Sequence, residues 1–299
     1  MSLPLVKYRE TEEVRSINLY QLGWFSTGRD KAAGDLLKAV QGSIERGEME
    51  AEIAFVFSNR GPGESESSDR FFEMVGSYHI PLITFSYQRF KAEQISIANK
   101  QGGGVLSEQR EEYDRAVMER LNDFRPELCV LAGYMRIVGK EMCQHYNMVN
   151  LHPAAPGGPT GTWQEVIQQL IRDGADKTGL MMHLVTPELD KGPVVTYATF
   201  PIRGRPFDRY WAEIEEHPFT VTDRQGEDNP LFRLIREHGL KRELPLITAT
   251  LKAFSLGMVR IRAGKITDSG GRPLNGYNLS EEIDRILGED RVPKGGEVD

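Results

Sequence analysis

The chain has 299 residues, 39% of them hydrophobic and 27% charged, and a formal net charge of -7. It can bury a substantial core, and it lacks the basic balance of a general nucleic-acid or anionic-membrane binder. Two cysteines, Cys129 and Cys143, lie in apolar settings without a partner at metal-ligand spacing, which excludes a disulfide scaffold and fits a reducing compartment.

Residues 1–16 are polar without a clear period and read as an N-terminal extension. Ile17 to Phe25 alternates as a strand and runs into Ser26-Thr27-Gly28-Arg29-Asp30, after which Leu36, Leu37 and Val40 mark a helix. A strand, a turn of small residues and a helix N-terminus can cradle a phosphate, because free backbone N–H groups face the anion. A β-α join needs small residues in any case, so this turn alone carries little. Ile53–Phe57 is a second strand, 69–78 a helix, and Ile80–Phe85 a third strand. Such alternation predicts an α/β fold, a Rossmann-like, mostly parallel twisted sheet with helices on both faces and functional loops at its carboxyl edge.

Gln101–Gly104 reads as part of an insert near 96–108. Glu108 to Phe124 is an amphipathic helix with Tyr113, Val117, Leu121 and Phe124 on its apolar stripe and its charges mostly on a solvated face. Leu128–Ala132 is a buried strand that opens onto Gly133–Val138, a candidate flat apolar rim for a planar ring. Met148–His152 is a short strand stopped by Pro153, and it presents Asn150 and His152 two positions apart, on one face. The run 183–194 ends on Asp190-Lys191-Gly192, which places a carboxylate at another strand's lip. An amide, an imidazole and a carboxylate at strand ends form a plausible proton-handling site. Taken singly, His152 can be a strand-end histidine, Asn150 a turn cap and Asp190 a turn former.

Trp163–Arg172 is helical through Val166, Ile167 and Leu170; Val194–Ile202 is a strand, and Leu244–Leu256 a helix. Met258–Ile261 and Lys265–Thr267 form a small C-terminal hairpin around Ala263-Gly264. Domain organisation follows as one domain over 17–278, with inserts near 96–108 and 203–240, and a tail over 279–299. No stretch approaches the ~20 apolar residues of a membrane helix, and a cytoplasmic monomer or homodimer is expected, with no membrane or nucleic-acid partner.

The pieces F-V-F-S-N-R (55–60), R-E-E-Y-D-R (110–115), L-A-G-Y-M-R-I-V (131–138), V-N-L-H-P (149–153), H-L-V-T-P-E-L-D-K-G-P-V-V (183–195) and E-L-P-L (243–246) occur in this order. Together they resemble the folate-dependent formyltransferase family. The resemblance implies an enzyme that takes formyl from 10-formyltetrahydrofolate, with small-molecule substrates and no metal. It implies His152 as catalytic imidazole, Asn150 as its partner at the formyl group, and Asp190 as the carboxylate that supports the imidazole. Met135, Arg136, Ile137 and Val138, with Arg110, would hold the pterin and its tail, and Gly28, Arg29 and Asp30 the phosphate of the acceptor. The implied acceptor is the amine of phosphoribosylglycinamide or a related phosphorylated amine. Hydrolysis of the same donor, and a catalytically idle folate- or nucleotide-binding module, remain alternatives. The chain departs from the family in its first turn, in the loop Ala154–Trp163, and in the longer connection 203–240.

Overall fold

The computed structural model describes residues 19–93, 108–216 and 228–289. The expected extension at 1–16, nearly all of the insert near 96–108, the middle of the 203–240 insert and the last part of the tail lie outside the described residues. Ten strands are named here: β1 (Tyr20–Phe25), β2 (Ala51–Ser58), β3 (Leu82–Thr84), β4 (Leu128–Leu131), β5 (Met148–His152), β6 (Lys177–Leu184), β7 (Val194–Pro201), β8 (Val259–Arg262), β9 (Lys265–Asp268) and β10 (Tyr277–Asn278). The helices are α1 (Lys31–Glu45), α2 (Glu66–Ser77), α3 (Glu108–Arg120), α4 (Lys140–His145), α5 (Trp163–Arg172), α6 (Asp208–Glu216), α7 (Pro230–Ser255) and α8 (Ser280–Ile286).

One sheet has the order β10-β7-β6-β5-β4-β1-β2-β3, and β8 and β9 pair separately as the expected antiparallel hairpin. Alternation along β1 sends Leu22 and Trp24 to one face and Phe25 to the other. The first face is covered by α1, α2, α5 and α7 through residues such as Leu37, Val75, Val166 and Leu246. The second is covered by α3 and α4 through Tyr113, Val117, Leu121 and Met142. Each of these large apolar side chains stabilises the fold by about 1.5–3 kcal/mol when fully buried. Helices on both faces of a mostly parallel sheet match the sequence expectation.

The sheet is not parallel throughout. β6 runs antiparallel to both β5 and β7. The 185–193 connection is too short for a parallel crossover, which needs about a dozen residues or more, so β6 and β7 must reverse. Nothing in the apolar run Leu180–Val185 encodes strand direction.

The helix expected over Leu244–Leu256 instead spans Pro230–Ser255, with Pro245 inside it. Its start was written in the sequence. Asn229 caps the amides of Leu231 and Phe232, and Pro230 sits in the first turn, where its missing N–H costs nothing. Pro245 is tolerated because the carbonyl it leaves unbonded belongs to Lys241, an exposed position open to water. The described parts of 203–240 are therefore largely helical. The segment set apart as a tail begins with α8, whose Ile283 is fully buried and whose Asp284 meets the buried Arg242 at 3.4 Å. Among the described residues no helix is long and apolar enough to cross a membrane.

Candidate active site

The chain runs from β1 to β2 and β3 on one side, then returns to place β4 on the other side of β1. The carboxyl ends of β1 and β4 thus diverge, and crevices of this kind bind ligands in open α/β sheets. Here the Thr27 amide donates to the Gly133 carbonyl (3.1 Å), the Met135 amide to Thr27 Oγ1 (3.1 Å), and Thr27 Oγ1 to Asn59 Oδ1 (2.8 Å). One hydroxyl ties the first turn to the 133–138 rim.

Beside this crevice lies a cavity of about 220 Å³ with Leu131 and Tyr134 in its wall; Met135, Arg136, Ile137, Val138, Asn150 and Asp190 also line it. Met135 and Ile137 are 56% and 41% exposed, so large apolar side chains stand open at its rim. The Arg136 guanidinium lies over the Tyr87 ring at 3.4 Å, an arrangement that holds a cation flat against the wall. An apolar slot with a few convergent polar groups suits a flat heteroaromatic ring.

The polar end of the cavity is built by β5, β6 and the 185–193 turn. Asn150 pairs across the sheet with His183 in strand register. Asn150 Nδ2 lies 3.4 Å from His183 Nε2, and His183 Nδ1 lies 3.1 Å from the Leu184 carbonyl. Asp190 stands between two imidazoles: Oδ1 is 3.5 Å from His183 Nε2 and Oδ2 is 3.9 Å from His152 Nδ1. Burial pushes the His183 imidazole below its ordinary value, against the Leu184 carbonyl and Asp190, which favour its charged form.

Asp190 is held by its backbone. Its φ is +55°, a left-handed conformation that aspartate tolerates better than most side chains. Two residues on, a Cβ on Gly192 would come within 1.6 Å of the Leu184 carbonyl oxygen, so only glycine fits. The Leu184 amide donates to the Pro193 carbonyl at 2.9 Å and closes the turn.

His152 is placed differently from its partners. It is only 3% exposed and does not line the cavity, and its Nε2 points at the Pro159 carbonyl at 3.4 Å. The loop 154–162 thus covers the imidazole. That loop ends in a capping box in which Thr162 and Glu165 satisfy each other's backbone at the start of α5.

Arg110 is exposed on α3 and does not line the cavity, although its charge acts on Asp114. Gly28 is buried with φ +62°, and a Cβ there would meet the Phe71 ring at 2.8 Å. Arg29 and Asp30 are exposed and lie 3.7 Å apart. Asp30 is the N-cap of α1, its carboxylate accepting from the Ala33 amide at 3.1 Å. A carboxylate therefore occupies part of the helix end where a phosphate was expected.

Residue-level reading missed three contributors. Thr27 gave no signal beyond its place in a small-residue turn. His183 lies in the apolar run Leu180–Val185 and drew no site role, although its place opposite Asn150 is the clue. Asp114, placed on a solvated face, is 3% exposed, and its Oδ2 accepts from the Gly139 amide at 2.6 Å. With Glu111, which accepts from Lys140 N at 3.3 Å, it anchors the far end of the cavity rim.

A family model for formyl transferase matches residues 31–205. The phosphoribosylglycinamide formyltransferase of Escherichia coli (strain K12) is 32% identical over 114 residues, which cover 38% of this chain and 53% of that protein. The formyltetrahydrofolate deformylase of Haemophilus influenzae is 25% identical over 151 residues, 50% of this chain and 44% of that one. The chain spans about half the length of the curated relatives it matches. The solved phosphoribosylglycinamide formyltransferase of Coxiella burnetii shares the fold, with a TM-score of 0.59 at 21% identity, over 87% of this chain and 99% of that one. Since the matched segment runs from α1 through β7 and includes β4, β5 and the Asp190 turn that build the cavity, the chain belongs to the formyl transferase family.

Proposed function

We propose that this chain transfers the formyl group of 10-formyltetrahydrofolate to the primary amine of a phosphorylated acceptor, with phosphoribosylglycinamide the first candidate. The observation that carries this reading is the Asn150–His183–Asp190–His152 constellation beside an apolar slot that suits a pterin. The E. coli and C. burnetii relatives, named as phosphoribosylglycinamide formyltransferases, support the choice of acceptor.

In the proposed reaction the amine lone pair forms the new C–N bond at the formyl carbon and negative charge builds on the formyl oxygen. The Asn150 N–H₂ and a protonated His152 donate to that oxygen. On collapse the bond to folate N10 breaks; the imidazolium gives its proton to N10 and regains the proton that the attacking amine loses. Asp190 holds the imidazole and balances its charge. Because His152 Nε2 faces the Pro159 carbonyl, loop 154–162 must move aside for the imidazole to reach the formyl group. Met135–Val138 hold the ring system, with Arg136 and the more distant Arg110 toward the acidic tail. Gly28, Arg29 and Asp30 form the proposed acceptor end, where Arg29 supplies the charge and the Asp30 carboxylate opposes it.

The test supplies 10-formyltetrahydrofolate with and without phosphoribosylglycinamide and follows release of tetrahydrofolate. Release that requires the amine supports transfer. Equal release without it replaces transfer by hydrolysis, the activity named for the H. influenzae relative, and binding without release makes the chain a folate-binding module.

A further inference from the structure

We infer that His183 is a positioning residue: as a neutral imidazole protonated on Nδ1, it accepts one N–H of the Asn150 amide through Nε2 and aims the other into the cavity. The inference rests on the formyl-transfer reading for its kinetic consequence, but its geometric content stands apart from turnover.

The tautomer follows from what the ring faces. His183 Nδ1 lies 3.1 Å from the Leu184 carbonyl oxygen, which can only accept, so Nδ1 carries a proton. A neutral ring then has a bare Nε2. That atom is 3.4 Å from Asn150 Nδ2, an amide nitrogen that can only donate. Asn150 would otherwise be free to exchange its amide oxygen and nitrogen by a half-turn. With Nε2 as acceptor the Nδ2 side must face His183, and the second N–H of the same nitrogen points away from the ring. A side-chain amide with an acceptor on one hydrogen is an oriented donor on the other.

The same protonation state settles a competition for Asp190. His183 Nε2 is 3.5 Å from Asp190 Oδ1, while His152 Nδ1 is 3.9 Å from Oδ2. The two rings are 6.3 Å apart and nearly perpendicular, at 82°. A charged His183 would take the carboxylate and turn a donor toward Asn150 Nδ2, which forces the amide to flip and presents its oxygen to the cavity. A neutral His183 leaves the carboxylate to His152. The charged and titratable groups that face His183 are Asp190 from the 185–193 turn and His152 from β5. His183 itself is 2% exposed, and burial works against its charged form.

Two measurements test this. Nitrogen-15 NMR of histidine-labelled protein at about pH 7.5 should find His183 neutral, protonated on Nδ1 and bare on Nε2. A charged ring or an Nε2–H tautomer overturns the inference whatever the protein catalyses. In the second, His183→Leu should lower kcat for donor consumption by about 100-fold, the effect of misplacing a catalytic group, with donor Kd changed by less than about threefold. His183→Gln, whose side-chain carbonyl can stand in for Nε2, should recover most of the loss and should lack the acid inflection that protonation of His183 gives the wild type. Equal losses in the two variants, or an unchanged kcat in His183→Leu with a folded protein, remove the positioning role. Failure of the formyl-transfer reading is separate: it is marked by wild-type protein that consumes no donor while the NMR tautomer is as stated.

Discussion

The two ends of the candidate site are built on different principles. At the cavity end, Asn150, His183 and Asp190 hang from paired strands and from a turn that only Gly192 permits, and their polar atoms face one another. At the first turn, Arg29 and Asp30 stand exposed beside each other, and the Asp30 carboxylate already occupies part of the helix end. The first arrangement keeps its geometry without a ligand, because strand register and backbone conformation over-determine it. An anion at the second would share the helix end with the Asp30 cap. Under the proposed function, chemistry belongs at the rigid end and acceptor choice at the adjustable one.

The largest effect should come from the rigid end. His152→Ala is expected to lower turnover by about 10³-fold while donor affinity stays within a few-fold, since the imidazole is outside the cavity lining. Steady-state kinetics with a parallel donor titration reads both, and a loss confined to affinity would move His152 from chemistry to binding. Next is Gly192→Ala. A Cβ 1.6 Å from the Leu184 oxygen cannot be accommodated, so the turn must open; a loss of about 2–4 kcal/mol in urea unfolding, with kcat falling alongside, is expected. Unchanged stability would mean that the Asp190 turn is looser than its geometry implies.

The same contrast explains what could be read from the residues. α5 and the hairpin were legible because their patterns are local: Val166, Ile167 and Leu170 repeat at helical spacing, and Ala263-Gly264 sits between two short alternating runs. Asn150, His152 and Asp190 were legible because strand ends and an Asp-x-Gly turn constrain where side chains go. The reversed β6 was not, since alternation has no direction, and neither was the role of His183, which depends on a partner one strand away. The helix expected over Leu244–Leu256 was too short because its start signal, Asn229-Pro230, lies inside the stretch set apart as an insert. The cap at Asp30 was legible in principle, because aspartate before a helix is a standard N-cap; its conflict with a bound phosphate emerged only with the geometry.

A third prediction concerns the floor beneath the cavity rim. Burial raises the Asp114 carboxyl from 3.8 to about 6, with the Gly139 amide working against the shift. The folded state therefore holds this proton more tightly than the unfolded chain. Stability from this group is greatest below about pH 4, falls as pH rises through about pH 6, and is constant above it. The change is at most about 3 kcal/mol for a shift of this size, and less after relaxation. Asp114→Asn keeps an oxygen for the Gly139 amide and removes the charge. Urea titrations at about pH 4 and 7.5 should show the variant gaining stability relative to wild type at the higher pH. A pH-independent difference would mean that burial does not raise the Asp114 carboxyl.

The smallest effect separates the two ends most directly. Asp30→Ala removes the acceptor for the Ala33 amide and should cost about 1 kcal/mol of stability, as loss of an N-cap does. It also removes a negative charge 3.7 Å from Arg29 at the end of α1. The freed helix end and the freed guanidinium should both attract an anion, so KM for a phosphorylated acceptor should fall by a few-fold, with kcat and donor affinity unchanged. Thermal unfolding and acceptor kinetics on the same preparation read the opposing effects. A stability loss with unchanged acceptor KM would place the acceptor phosphate elsewhere and leave the first turn as a structural join tied by Thr27 to the cavity rim.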